Sequence, residues 1–178
     1  MSNFDKHQQF HELAMLRRSI RQYEDKPIPK EILDAILETS RTTPSAGNCQ
    51  PWHIFVIESK EKREELVPHA WNQKFIASAP VALVICADIN RTIERYKERG
   101  RDLYCLQDTA AMIQTIMFSA SALGLGTCWI GAFDEEKVAE ALGLAPEMRP
   151  IAILPMGYPA ADPPVWRRRE VEEFVTYV

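Results

Sequence analysis

A chain of 178 residues that is 46% apolar and 26% charged has material for one globular core, and a net charge of −4 without a basic helical stripe argues against nucleic acid as the main partner. The longest apolar stretch, residues 110–125, is broken by Gln114, Thr115, Ser119 and Ser121 and is short for a bilayer, so no membrane segment is expected. Cys49, Cys86, Cys105 and Cys128 are widely spaced with no C-x-x-C pair, and the opening MSNFDKHQQF lacks the apolar core of a signal peptide. Reduced thiols in the cytoplasm and a single domain over residues 1–178 are the expectation.

Phe10, Leu13, Ala14 and Leu16 recur at helical spacing, which predicts an amphipathic helix over residues 4–17. His7 and His11 lie four apart on it, but Gln8 stands where the H-E-x-x-H zinc motif needs glutamate, so solvated or partner-facing histidines are expected. The helix delivers Arg17-Arg18-Ser19-Ile20-Arg21-Gln22-Tyr23, three guanidinium groups around one hydroxyl, which is chemistry suited to an anion. Arg167, Arg168 and Arg169 form a second basic cluster, so two short segments hold six of the 21 basic residues of an acidic chain. Such focusing suggests one localised anionic ligand; solvated cations at a helix C-terminus are the competing account.

Pro27 and Pro29 then break the chain, and Ile32, Leu33, Ile36 and Leu37 mark a second amphipathic helix. Residues 42–52, TTPSAGNCQPW, cannot continue as regular structure. This loop leads into a strand over residues 53–58 and could hold its backbone N–H groups outward, while Ser45, Asn48 and Gln50 offer donors and acceptors for a heteroaromatic edge. Residues 60–70 read as a charged surface helix, with a shorter one beginning around Trp71, Phe75 and Ile76. The unbroken apolar run 81–87 reads as a central strand buried on both faces. Residues 88–108, rich in charge and carrying Tyr96, Gly100 and Tyr104, read as a protruding helical excursion, either a lid or a solvated helix.

The most apolar helix is expected over residues 108–123, with Ile113, Ile116, Met117 and Ala120 on one stripe and Phe118 and Ala122 off it, so that burial on two sides is required. Gly124 and Gly126 stop it before a strand over residues 127–130; Asp134 caps a short helix ending near Gly143. At Gly131 the absent side chain would let a flat ligand approach the backbone, a turn glycine being the alternative. Residues 151–156 form another apolar strand, which Pro155 should confine to an edge or a bulge. The proline-rich tail has too little apolar surface to fold alone and is expected to cross a surface, its own or a partner's, carrying Arg167 and Arg168 back to the first cluster.

With these pieces in order, the sequence resembles the FMN-dependent nitroreductase family, especially its short members, over nearly the whole chain. RRSIRQY is similar to the family's opening flavin motif, PSAGNCQPW to its second, and GLGTCWIGAF and MGYPA to its third and its C-terminal approach. The resemblance implies an α+β fold, a mixed and mostly antiparallel sheet flanked by helices, assembled as an intertwined homodimer with FMN at two interface sites. It implies that Arg17, Ser19 and Arg168 hold the phosphate, with Arg18 beside them and Arg167 also in the cofactor-binding set, and that Arg21 reaches the pyrimidine edge of the flavin. Pro44, Ser45, Ala46, Asn48 and Gln50 would come from the other subunit, and the backbone of Ile130, Gly131 and Ala132 would face the ring. The implied activity is transfer of hydride from NADH or NADPH through FMN to a nitroaromatic, a quinone or a similar small acceptor, by a two-step exchange with no protein acid or base. Dehalogenase and flavin-cleaving branches of the same fold, or a non-catalytic flavin-binding protein, remain as alternatives. Gly131 stands where some members carry an acidic residue, so a substrate preference set by that charge does not transfer.

Overall fold

The computed structural model describes residues 2–178. The first helix, α1 (Asn3–Leu16), starts in a reciprocal cap: the Ser2 hydroxyl accepts from the Asp5 amide at 3.1 Å while the Asp5 carboxylate accepts from the Ser2 amide at 2.7 Å. None of its side chains is fully buried; Leu13 and Ala14 are half-buried and Phe10 stays exposed, so the amphipathic face read from the sequence is only partly covered within one chain. Helix α2 (Lys30–Ser40) begins after Pro29, whose missing N–H falls where the helix has no acceptor to offer, and buries Leu33 and Ile36.

Four antiparallel strands, β1 (Trp52–Ile57), β2 (Val81–Asp88), β3 (Gly126–Thr127) and β4 (Met148–Gly157), form a sheet in the order β1-β2-β4-β3. Between β1 and β2 lie α3 (Lys60–His69) and the single turn α4 (Phe75–Ser78). Strand β2 is buried from Val81 to Ala87, as its unbroken apolar run requires of a strand covered on both faces. One face packs on α2 and α6 (Cys105–Ala122) through Ile36, Leu83, Ile113 and Leu154; the other packs on α3 and α7 (Glu135–Leu142) through Leu66, Val84, Val138 and Ile153. Helix α7 is capped by Asp134, whose carboxylate accepts from the Lys137 amide, and ends at a left-handed Gly143.

Two expectations change. Pro155 is at neither an edge nor a bulge: β4 runs inside the sheet, and the irregularity in its pairing with β2 lies opposite Ile85 and Cys86, beside Pro150. The registers Thr127↔Met156 and Ile130↔Ile153 place Cys128 opposite Pro155, where Cys128 N–H donates to Pro155 C=O at 3.4 Å but the proline has no N–H to return. The ladder lapses there, so the strand expected over residues 127–130 shortens to β3 and resumes only as the Ile130–Ile153 bridge, whose two N–H···O bonds are each 3.0 Å. Proline's missing donor is therefore accommodated inside the sheet by shortening the neighbouring strand.

The second change concerns the excursion, which is helical but not one helix. Helix α5 (Asn90–Arg99) is interrupted at Lys97, which has a positive φ and a non-helical ψ (52°, −136°), and a π-helical turn, Gly100–Tyr104, joins it to α6, which starts a turn earlier than its apolar stripe suggests. On the outer side of α6, Phe118 meets Phe10 of α1 edge to face at 5.5 Å, and an open apolar groove of about 540 Å³ runs between α1, α2 and α6.

Candidate functional site

After α1 the chain is extended, and alternation decides what it shows. Ile20 points inward and is buried, so Arg17, Ser19 and Arg21 project to the opposite side, while Arg18 turns back and donates to the Met15 carbonyl. The segment is pinned to β3: Ser19 pairs with Thr127 in a parallel bridge, and Ile20 N–H donates to the Thr127 carbonyl at 2.9 Å. Gly126 permits this approach, since a Cβ there would lie 2.4 Å from Ile20 Cγ1. Downstream, the single Tyr23 hydroxyl proton is shared between the carbonyls of Ile20 (2.7 Å) and Pro155 (3.1 Å), anchoring the segment on β4.

Over this segment lies the tail. Residues 163–166 and Arg168 close a concavity of about 110 Å³ with Arg17, Arg18, Ser19 and Arg21. Arg168 is thus brought to the first cluster as expected of the tail, whereas Arg167 is not: it faces Glu170 at 3.6 Å, and Arg169 faces Glu173 at 3.5 Å. Of the triplet, only the middle arginine lines the concavity, its two neighbours facing the tail's own glutamates. Among the described residues, Arg17, Arg18, Arg21 and Arg168 have no carboxylate partner within 4 Å, in contrast to nine ion pairs elsewhere. Burial, then Arg168, then Arg18 push the Arg17 pKa down, so desolvation leads and the neighbouring positive charge adds to it. Beneath the cluster Cys128 is a free, buried thiol whose pKa burial raises, opposed by Arg21, the Ser19 hydroxyl and Arg17. The Thr127 hydroxyl is buried without a partner in the bridge to Ser19. Guanidinium groups without carboxylate partners beside an exposed serine hydroxyl are what a phosphate monoester would satisfy.

The cluster continues into the Ile130–Ala132 backbone. Ile130 is fixed by its bridge to β4, Gly131 and Ala132 are exposed, and the Ala132 carbonyl accepts from Gln73 Nε2 at 3.2 Å. Gln73 also donates to the Ala70 carbonyl, from a turn in which Trp71 and Asn72 are both left-handed, and the Arg21 guanidinium lies 5.8 Å from the centre of the Phe75 ring. A Cβ on Gly131 would meet only the Trp129 indole nitrogen, at 3.8 Å, so the backbone there is open to a flat molecule. Gln73 and Phe75 belong to this side of the site and were not singled out from sequence; the asparagine in the 71–75 turn was the only local signal.

The loop read as a second motif sits elsewhere. It enters β1, while the arginine segment borders β3 at the opposite edge; three inter-strand steps of roughly 4.8 Å put the two at least about 14 Å apart. No hydrogen bond joins them among the described residues. The loop closes on itself through a single 3-10 turn, Ala46–Asn48, with Pro44 exposed before it. Its amides do not face outward as expected: Ala46 N–H donates to both Asp108 carboxylate oxygens (3.0 and 3.1 Å), Asn48 N–H to the Ser45 carbonyl, Cys49 N–H to the Ala46 carbonyl and Gln50 N–H to Ser45 Oγ at 2.9 Å. Left-handed Gly47, Asn48 and Gln50 make that closure and turn the carboxamides of Asn48 and Gln50 towards each other at 3.2 Å. Helix α5 holds the loop from above, Arg91 donating to the Cys49 carbonyl (2.8 Å) and Arg95 to the Gly47 carbonyl (3.0 Å).

The residue pattern of the nitroreductase family matches residues 14–74 and 69–158. The chain belongs to the nitroreductase family. It is 34% identical over 168 residues to an oxygen-insensitive NADPH nitroreductase of Salmonella typhimurium, an alignment covering 90% of this chain and 70% of that one. To an FMN reductase [NAD(P)H] of Bacillus subtilis it is 32% identical over 160 residues, covering 80% and 63% of the two chains. A nitroreductase family protein from Streptococcus pneumoniae superposes with a TM-score of 0.86 at 25% identity, over 95% of this chain and all of that one. Membership accounts for the α+β fold of helices around an antiparallel sheet. Among the described residues, no helix is long and apolar enough to cross a membrane, and no group of three or more His, Cys, Asp or Glu side chains could hold a metal ion.

Proposed function

We propose that the chain is an FMN-dependent NAD(P)H oxidoreductase that passes hydride to a small oxidised acceptor, a nitroaromatic or a quinone, in two steps that use one binding face in turn. The observation that carries this reading is the gathering of Arg17, Arg21 and Arg168, none paired with a carboxylate, around one concavity with Ser19 from two distant parts of the chain, with Arg18 adding charge at its margin. Charge-assisted bonds from Arg17, Arg168 and the Ser19 hydroxyl suit a terminal phosphate, with Arg18 adding charge beside it and Arg167 outside. FMN, when bound, supplies the redox chemistry. Arg21, held near Phe75, would stabilise negative charge on the reduced pyrimidine edge. The exposed backbone of Gly131 and Ala132 would receive the flat ring, its position set by the Ile130 bridge and by Gln73.

One chain supplies the two halves of such a site at opposite edges of its sheet, so a complete site needs a second copy to bring Pro44, Ser45, Ala46, Asn48 and Gln50. A homodimer is supported by the partly uncovered face of α1, the apolar groove beside Phe118, and a tail that exposes Trp166, Phe174 and Tyr177. The test is visible absorption of the purified protein under anaerobic conditions, before and after NADH and then NADPH. A flavin band that bleaches with either donor is expected, and the effective donor identifies the preference. Bound flavin that neither donor reduces would exclude the reductase reading, and a protein that cannot be loaded with FMN would exclude the cofactor.

A further inference from the structure

The Asp108 carboxylate has a function that the flavin reading leaves unassigned. It stands in the first turns of α6, and its residue is only 8% exposed. No Lys, Arg or His lies within ion-pair distance among the described residues, and its only hydrogen-bond donor is the Ala46 amide, which reaches both oxygens. A buried carboxylate without a cation is an expensive way to end a turn, because removing it from water disfavours the charged form. What it does achieve is to tie the 45–50 loop to the most deeply packed helix of the fold, which buries Met112, Ile113 and Ile116 within the following turns. The other outside ties come from Arg91 and Arg95 of α5, on exposed side chains of a helix interrupted at Lys97. Asp108 is therefore the rigid tie and the arginines the adjustable ones.

We propose that Asp108 is a positioning residue: through Ala46 it sets the height of the 45–50 loop, and with it the Asn48 and Gln50 carboxamides, for the flavin of the site completed by a second copy. This rests on the flavin reading given above. The bond can be cut from either side. Asp108→Ala removes the acceptor; Ala46→Pro removes the donor, and Ser45 already has the extended backbone that a following proline requires (φ −143°, ψ 156°). Asp108→Asn keeps an acceptor and serves as the conservative rescue.

The readouts are hydrogen exchange of the Ala46 amide, FMN dissociation constant and midpoint potential of the bound flavin, all on full-length protein. Asp108→Ala is expected to speed Ala46 exchange and to raise the FMN dissociation constant at least about tenfold, with a shifted potential. Ala46→Pro is expected to match it in affinity and potential, and the double variant to add less than about threefold. Asp108→Asn should stay within about threefold of wild type in affinity. Wild-type affinity and potential in both Asp108→Ala and Ala46→Pro would overturn the proposal while leaving the flavin reading intact. Asp108→Asn behaving like Asp108→Ala would also overturn it, since charge rather than the tie to Ala46 would then matter. Wild-type protein that binds no FMN would overturn both; if Asp108→Ala fails to fold, Ala46→Pro and Asp108→Asn decide.

Discussion

The two halves of the proposed site are made in opposite ways. Around Ser19 the chain gathers guanidinium groups that have no carboxylate partners and lie on extended segments, so the local structure is electrostatically unsatisfied until something anionic arrives. The 45–50 loop is the reverse: its amides at residues 46, 48, 49 and 50 are all bonded within the chain, three of its residues are left-handed, and α5 and α6 both grip it. The first half offers charge and accepts a ligand's geometry; the second offers shape fixed in advance. Both halves should therefore contribute affinity, the arginine half the larger share through charge and the loop half through a geometry that also orients the ligand.

The comparison is most easily broken at Arg17. Arg17→Ala should weaken FMN binding by about 1.5–3 kcal/mol, roughly tenfold to a hundredfold in dissociation constant, measured by quenching of flavin fluorescence. Adding Arg168→Ala should do less than the sum of the two single changes, because each arginine repels the other in the free protein. Arg21→Ala should cost a smaller share of affinity and instead lower the midpoint potential of the bound flavin, because it removes positive charge from the edge that gains electrons. Gly47→Ala strikes the loop half: φ is +54° and a Cβ would sit 2.4 Å from the Tyr96 hydroxyl. It should lower stability by about 1–2 kcal/mol in chemical denaturation while leaving the arginine half able to bind inorganic phosphate.

A gentler change sharpens the contrast by pH. Burial raises the Asp108 pKa above its ordinary value, and the Ala46 N–H only partly opposes this. A carboxyl whose folded pKa is raised contributes stability that is present below its unfolded pKa and lost as pH rises through the folded one. Asp108→Asn should therefore gain stability relative to wild type as pH rises through that interval, with the difference closing at more acidic pH in denaturation curves. The arginine half should show no such dependence over the same interval. At the bottom of the scale, Lys60→Ala breaks only a 3.9 Å exposed pair with Glu64 and should change stability and FMN affinity by less than about 0.5 kcal/mol.

Much of this was legible in the chain because it follows from periodicity and local chemistry. The apolar run 81–87 meant a strand covered on both faces, Asp134 and Gly143 bracketed a helix, and Arg17, Ser19 and Arg21 share a face because extended chain alternates. What escaped depends on partners far apart in sequence. Pro155 sits inside the sheet only because its donor-free side meets Cys128, where β3 has already ended. The loop amides turn inward because Asp108, 62 residues away, accepts one of them. Arg168 rather than Arg167 enters the cluster, Arg167 facing Glu170 three residues on, and nothing in the spacing of the arginine triplet marks which of them does so. Gln73 reaches Ala132 across 59 residues, from a surface turn with no distinguishing pattern.

The central claim is that the two halves of one site belong to different copies of the chain, and a mixed dimer tests it most directly. One copy carries Arg17→Ala with Arg168→Ala, the other Asn48→Ala with Gln50→Ala, and differently tagged chains are co-expressed and purified through both tags. If the halves are shared between copies, one site of each mixed dimer is wholly native, and one FMN per two chains should bind with wild-type affinity while both parent dimers bind weakly. If each site is built from a single chain, both sites of the mixed dimer carry a lesion. A mixed dimer that binds FMN no better than its parents would contradict the account.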